Sequence, residues 1–184
     1  MKMSTHDLVL CALCAAVTCV LAPISIPLAG EVPVSLATFA VMLSGILLGG
    51  RNGAISQLIY VLLGSVGVPV FAGWKGGAGI VAGVTGGYIV GYIPMALVTG
   101  FLYRRFGRGR KGAGQYAVMA LSMAAGTAVL YLLGTAWFIA QTGMTVPAAL
   151  AACVFPFLPG DALKIAAVTA AAPPIERALR QSEG

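Results

Sequence analysis

Long apolar stretches, separated by short segments with glycine, proline or charged residues, run through the whole chain. Each stretch is close to the length of about 20 residues that an α-helix needs to cross the hydrocarbon core of a membrane. The pattern predicts membrane-spanning helices near residues 7–26, 34–50, 53–70, 80–103, 115–140 and 147–179. Because the connections between them are short, we expect residues 1–184 to form a single six-helix membrane domain.

The composition supports this interpretation. Hydrophobic residues make up 59% of the 184 residues, charged residues only 9%, and the mean hydropathy is +0.96. An ordinary soluble domain has about 25% charged residues. The sequence therefore predicts an all-α integral membrane protein, a six-transmembrane-helix bundle whose outer surface contacts the lipid bilayer.

The basic residues predict the orientation of this bundle. Much of the positive charge lies in one cluster within a predicted loop at residues 104–114. Its members are Arg104, Arg105, Arg108, Arg110 and Lys111. Basic clusters between apolar segments mark cytoplasmic loops, so we interpret this one as a basic cytoplasmic loop and not as a nucleic-acid site. Lys2 and Arg177 lie near the chain ends and Lys75 is the only basic residue in a predicted external loop, so both termini are expected to be cytoplasmic.

Residues 67–80 form a predicted external loop that is rich in glycine and contains Trp74 and Lys75. Its glycines permit unusual backbone angles, so the loop is a candidate lid, while Lys75 is equally consistent with a solvated loop charge. Further glycines recur every four residues at positions 79, 83, 87 and 91. On one helix they would form a stripe without side chains, suited to a flat ligand or to close helix packing.

The last predicted span is interrupted at Pro156, Pro159 and Gly160, before the charged residues Asp161 and Lys164. The interruption predicts a new helix start, and the spacing of the two charges places them on one face of that helix. Charges inside a membrane usually face the bundle interior or a cavity, so the pair is a candidate binding site. The alternative is structural: Asp161 caps an interfacial helix while Lys164 extends towards the membrane surface.

Several kinds of chemistry are missing from the sequence. It contains no Gly-Lys-Ser or Gly-Lys-Thr phosphate-binding loop, no His-Glu-x-x-His motif and no Gly-x-Ser-x-Gly elbow. Cys11 and Cys14 have the spacing of a redox or zinc pair, but their apolar neighbours favour simple packing. His6 has no Cys or His at ligand spacing. We therefore expect neither an enzyme nor a metal site.

Three blocks of the sequence together resemble the BioY family, the biotin-specific substrate-binding (S) components of energy-coupling factor (ECF) vitamin transporters. They are VPVSLATFAVMLSGILLGG at 32–50, VGVPVFAGWKGGAGIVAGVTGGYIVGY at 66–92 and PFLPGDALKIA at 156–166. The resemblance spans roughly residues 8–175. It departs from the common pattern at Ala37, where the family often has Gln, and at Val84, where it often has Pro.

The resemblance implies a six-helix S component that captures biotin from outside and moves it across the cell membrane with the help of partners. Those partners are a transmembrane coupling subunit and two cytoplasmic ATPase subunits. The ATPases use ATP, so this chain is expected to need no cofactor of its own. In such families small residues on the first helix contact the coupling subunit, which points to Ala12 and Ala16 as docking residues.

The resemblance also implies roles for the polar residues, since biotin has a ureido ring with N–H donors, an apolar thioether ring and a carboxylate tail. Asp161 would accept from the ureido N–H groups, and Lys164 or Lys75 would neutralise the carboxylate. Trp74 and Tyr88 would cover the rings. Further candidates for hydrogen bonds to the ligand are Ser35, Thr38 and Thr85.

Other functions compete with biotin capture. An S component for a different vitamin would share the bundle and the partners but have a different pocket. A small membrane enzyme would show turnover that depends on Asp161. A channel would need a continuous polar pore lining, for which the predicted spans offer few residues.

Overall fold

The structure of the protein, a computed structural model, describes residues 4–26, 32–107, 109–110 and 112–181. Within these residues there are seven helices: α1 Thr5–Leu21, α2 Ala37–Ser65, α3 Ala78–Ala82, α4 Gly86–Phe106, α5 Ala113–Thr142, α6 Val146–Cys153 and α7 Leu158–Gln181. Two short antiparallel strands accompany them, β1 Ser25–Ile26 and β2 Val34–Ser35. The predicted helical fold class is therefore confirmed.

The helices differ in their capacity to cross a membrane. By length and apolar composition, α2, α4 and α5 are each long enough, and the bent pair α6 and α7 makes a fourth candidate if it is one span. Helix α1 is apolar but shorter, with 17 residues. On this criterion the described residues provide three or four spans, compared with six predicted. The count depends on α2, which is not one straight helix.

Helix α2 reverses its direction at Gly49. This residue has φ 77° and ψ 176°, a conformation that glycine adopts without a Cβ clash. A straight helix would separate residues 45 and 53 by about 12 Å, yet a Cβ atom built on Gly53 would lie 3.1 Å from Cα of Gly45. Gln57 also donates a hydrogen bond to Ser44 Oγ at 3.0 Å. The chain therefore folds back on itself at Gly49.

The result is an antiparallel helical hairpin with a first arm, residues 37–48, and a second arm, residues 50–65. The two arms correspond closely to the two spans predicted for this region. Arg104 of α4 donates a hydrogen bond to the Leu48 carbonyl at the reversal. This contact satisfies one of the carbonyl groups that a helix end leaves without an intrahelical partner.

Helix α4 packs directly against the hairpin at Gly100. A Cβ atom built on Gly100 would lie 2.3 Å from the carbonyl carbon of Gly49 and 2.5 Å from the carbonyl oxygen of Gly45. Glycine at this position therefore allows the backbones of α4 and α2 to touch.

The predicted glycine stripe is interrupted, so that prediction is wrong. Helices α3 and α4 are separate, and Gly83 between them is extended, with φ −80° and ψ −172°. Of the four glycines, only Gly87 and Gly91 share a helix. Both pack against α5: a Cβ atom built on Gly87 would lie 2.2 Å from Trp137 Cβ, and one on Gly91 would lie 2.8 Å from a methyl group of Leu130.

The last predicted span is broken where the sequence indicated. Helices α6 and α7 are bent by 48° relative to each other, with turns at residues 154–157 between them. Helix α7 begins at Leu158, so Pro159 and Gly160 lie in its first turn, where proline removes no intrahelical hydrogen bond. This break places Asp161 in the same first turn.

Two predicted loops are shorter in the structure. Helix α4 continues through Phe106, so Arg104 and Arg105 belong to its last turn and not to the predicted loop 104–114. Helix α3 likewise takes in the last residues of the predicted loop 67–80. Outside the described residues lie Lys2, Arg108 and Lys111.

Candidate functional site

A cavity of about 230 Å³ lies among the second arm of α2, the residues before α2, the loop after it and the start of α4. Its walls are mostly apolar and include Tyr60, Phe71, Tyr88 and Tyr92. The rings of Tyr60 and Phe71 meet edge to face, with centroids 5.6 Å apart. Small-molecule sites usually have volumes of roughly 300–1,000 Å³ and combine apolar walls with a few polar groups. At about 230 Å³ this cavity is just below that range, so it suits a small ligand with an apolar body.

A smaller cavity of about 40 Å³ adjoins the first one and leads to charged residues. Both cavities are lined by Val32, Pro33, Ser35, Tyr88 and Tyr92. The lining of the smaller cavity also includes Thr38, Tyr131, Asp161 and Lys164. The two cavities together form a region with an aromatic part and a charged part.

The ammonium group of Lys164 is surrounded by protein acceptors. Its Nζ atom lies 2.7 Å from the Ser35 carbonyl oxygen, 2.8 Å from Thr38 Oγ1 and 3.0 Å from Asp161 Oδ1. The residue is 9% exposed. A cation buried this deeply is tolerated when it is paired and hydrogen-bonded, as here. This geometry contradicts the alternative in which Lys164 extends towards the membrane surface.

The carboxylate of Asp161 is bound at both of its oxygen atoms. Lys164 and Thr38 donate to Oδ1, at 3.0 and 3.2 Å, and Tyr131 of α5 donates to Oδ2. Asp161 is only 4% exposed. A carboxylate offers about four acceptor positions, so one is left for a donor from a ligand. The pair predicted from the sequence is thus the centre of a buried network joining α2, α5 and α7.

Tyr131 is the member of this network that the sequence analysis missed. It lies inside the predicted span 115–140, among Val, Leu and Gly residues, and belongs to no recognisable motif. The available signal was physical, because a tyrosine hydroxyl in an apolar span needs a hydrogen-bond partner. Asp161 is one of only three carboxylates in the predicted spans, with Asp7 and Glu176.

The hydroxyl group of Ser35 is used within the protein. It donates to the Ala22 carbonyl oxygen at 2.6 Å and accepts from the Ala37 N–H at 2.9 Å, so it pairs with one of the free N–H groups at the start of α2. The backbone carbonyl of Ser35, not its hydroxyl, reaches the charged network, through Lys164.

Tyr88 lines both cavities and has a fixed ring. Its hydroxyl lies 2.9 Å from Thr135 Oγ1 and donates to the Cys153 carbonyl at 3.4 Å. Thr85, directly before α4, lines the larger cavity. The structure therefore brings Tyr88 and Thr85 to the region that holds Asp161 and Lys164.

The two predicted residues of the glycine-rich loop have different positions. Lys75 is exposed and lines the larger cavity, so it lies at the mouth of that cavity. Trp74 is 67% exposed and lies outside the lining of both cavities. Its φ of 60° is uncommon for a residue other than glycine. The structure thus brings Lys75, but not Trp74, to the candidate site.

The predicted docking residues Ala12 and Ala16 are both exposed on α1. Ala16 borders a shallow apolar groove with Val17, Val20 and Leu21. Residues four positions apart share one face of a helix, so α1 presents a flat surface of small side chains.

No group of His, Cys, Asp and Glu side chains suited to a metal ion occurs in the described part of the chain.

The chain is similar to known proteins both in sequence and in structure. Residues 1–181 match the family model described as "BioY family". The "Biotin transporter BioY" of Rhizobium etli is 40% identical over 167 residues, which are 88% of each chain. The protein of the same name from Rhodobacter capsulatus is 35% identical over 149 residues, 77% of each chain. The "Probable biotin transporter BioY" of Pyrococcus horikoshii is 37% identical over 164 residues, 89% of this chain and 92% of the other.

Among solved structures, the crystal structure of "the S-component for biotin from an ECF-type ABC transporter" matches with a TM-score of 0.80 and 26% sequence identity. The match covers 98% of this chain and 95% of the other. The similarity therefore takes in the hairpin, both cavities and the break between α6 and α7.

Proposed function

The chain belongs to the BioY family, and from that membership we propose that it captures biotin outside the cell and moves it across the membrane as the S component of an ECF transporter. One observation carries the proposal: an aromatic cavity adjoins the buried ion pair of Asp161 and Lys164. Biotin combines an apolar ring body with the N–H donors of its ureido group, and these match the aromatic part and the charged part of this region.

In the proposed complex the ureido ring lies beside Asp161, whose free acceptor position receives a ureido N–H group. The thioether ring packs against Tyr88. Thr38 and Thr85 are side-chain candidates for further hydrogen bonds, and Ser35 contributes through the turn that it stabilises. Trp74 covers the rings only if its exposed side chain turns towards the mouth of the cavity.

We further propose that the bundle crosses the membrane six times, with α1, the two arms of α2, α4, α5 and the α6–α7 pair as the crossing segments. The reversal at Gly49 supports this count, because it divides one long helix into two antiparallel arms. Both termini are proposed to be cytoplasmic, on the same side as Arg104, Arg105 and Arg110.

The proposed partners are a transmembrane coupling subunit and two cytoplasmic ATPase subunits. The sequence has no phosphate-binding loop of its own, so the energy for transport would come from these partners. The exposed positions of Ala12 and Ala16 suit a docking face for the coupling subunit, since small residues allow two membrane helices to approach closely.

Calorimetric titration of the purified protein in detergent tests the proposed ligand. We expect tight binding of biotin and no binding of thiamine or riboflavin, which lack the carboxylate tail. Tight binding of either of those vitamins without binding of biotin would show that the chain is an S component for another ligand. Turnover of biotin or ion conductance in reconstituted vesicles would instead favour an enzyme or a channel.

A further inference from the structure

The two lysines of the candidate site differ in the donors that they have available. An ammonium group has three N–H donors, and the Nζ atom of Lys164 has three protein acceptors within 3.0 Å. A ligand carboxylate could bind Lys164 only by displacing Ser35, Thr38 or Asp161. Displacing Asp161 would leave a buried carboxylate beside a second, negatively charged one, which is strongly unfavourable.

Lys75 differs from Lys164 in how its ammonium donors are used. Its side chain makes no hydrogen bond or ion pair with any residue in the described part of the chain, and it is exposed at the mouth of the larger cavity. It is also the only charged residue among the described residues that line this cavity. All of its donors are therefore available to a ligand.

The loop fixes the position of Lys75 through backbone contacts with the core. The Phe71 N–H donates to the Lys75 carbonyl at 2.9 Å, and the Lys75 N–H donates to the Phe71 carbonyl at 3.3 Å. Phe71 is 1% exposed and its ring lies against Gly64, where a Cβ atom would be 2.1 Å from Phe71 Cζ. Gly77 further donates to the Gly64 carbonyl at 2.7 Å. The backbone that carries Lys75 is thus tied to buried residues before any ligand arrives.

We propose that Lys75 pairs with the carboxylate tail of the ligand and that Lys164 does not. The proposal rests on the proposed capture of biotin. The ureido group and the carboxylate are at opposite ends of biotin, so a ligand whose ureido edge reaches Asp161 directs its tail away from Asp161, towards the mouth of the larger cavity. Lys75 is the cation at that end, and it makes the chain select an anionic tail. Lys164 is an internal counter-ion that pairs with Asp161 and holds its carboxylate in position.

A comparison of biotin with its neutral carboxamide tests the proposal in the purified protein. The unmodified chain should bind biotin about fivefold more tightly than the amide, the effect of one partly exposed ion pair. Lys75→Gln should bind the two ligands with equal affinity. Lys75→Arg, which keeps the charge, should retain the preference for biotin. The preference in the unmodified chain should also shrink as the salt concentration rises, since salt screens exposed charges.

Two results would overturn the assignment of Lys75. One is a Lys75→Gln variant that still prefers biotin to its amide, and the other is an unmodified chain that binds both ligands equally well. These results differ from a failure of the proposed function, in which the unmodified chain would bind neither ligand.

Discussion

Tyr131 of α5 donates a hydrogen bond to Oδ2 of Asp161 at the start of α7. The other oxygen of the same carboxylate receives Lys164 and Thr38. Asp161 is therefore held from three helices, and a carboxylate held in this way presents its remaining acceptor position in one fixed direction. Such orientation lowers the entropy that the binding site loses when a ligand binds.

Tyr131→Phe should weaken biotin binding by about 1 kcal/mol, or about fivefold, because it removes one hydrogen bond to the carboxylate while keeping the ring. Titration calorimetry measures this change. Tyr116→Phe is the matched control, since Tyr116 is 43% exposed and lies outside both cavities of the site. Equal affinities of the Tyr131→Phe variant and the unmodified chain would show that Tyr131 does not position Asp161.

Asp161→Asn and Lys164→Ala should each weaken biotin binding by about 2 kcal/mol or more, because each leaves a buried charge without its partner. Combining Asp161→Asn with Lys164→Ala should cost less than the sum of the single changes, since the double variant retains no unpaired charge. Calorimetry and thermal unfolding of the four proteins give this comparison. Unchanged affinity in both single variants would mean that the pair serves the fold alone.

Gly100→Ala should lower the stability of the protein by about 1–3 kcal/mol, because the added methyl group would overlap the backbone of the hairpin at Gly49. Gly114→Ala, on the first turn of α5, is the control, since its nearest neighbour would be 4.0 Å away. Thermal unfolding in detergent should show a lower midpoint for the first variant only. An unchanged midpoint for Gly100→Ala would contradict the contact between α4 and the hairpin.

Ala12→Trp and Ala16→Trp should prevent co-purification with a coupling subunit, because an indole ring would hold the two helices apart, while biotin binding stays intact. Leu121→Trp places the same ring on α5, at a position that is 69% exposed, and should leave co-purification unchanged. Retention of the coupling subunit by both alanine variants would place the docking face elsewhere.

The sequence predicted the features that depend on local chemistry. Proline and glycine near Asp161 indicated the break between α6 and α7, and the spacing to Lys164 placed both charges on one face. The features that it missed depend on distant residues. The regular spacing of Gly83 with its neighbours predicted one stripe, but the stripe is broken because α3 ends before Gly83. Tyr131 acquires its role only when α5 packs beside α7.

The first arm of α2, residues 37–48, is about 18 Å long at 1.5 Å per residue, whereas the hydrocarbon core of a bilayer is about 30 Å thick. In the proposed six-span bundle, the chain before this arm therefore covers the remaining depth in an extended form. Non-helical backbone is tolerated at that depth only where it is buried in protein or lines a cavity. Because this segment is not helical, its carbonyl groups are free to bind other donors. One of them, the Ser35 carbonyl, accepts a hydrogen bond from Lys164. If α2 began two turns earlier in the chain, the Ser35 carbonyl would form a hydrogen bond within the helix. The added helical turns would then fill the vitamin pocket.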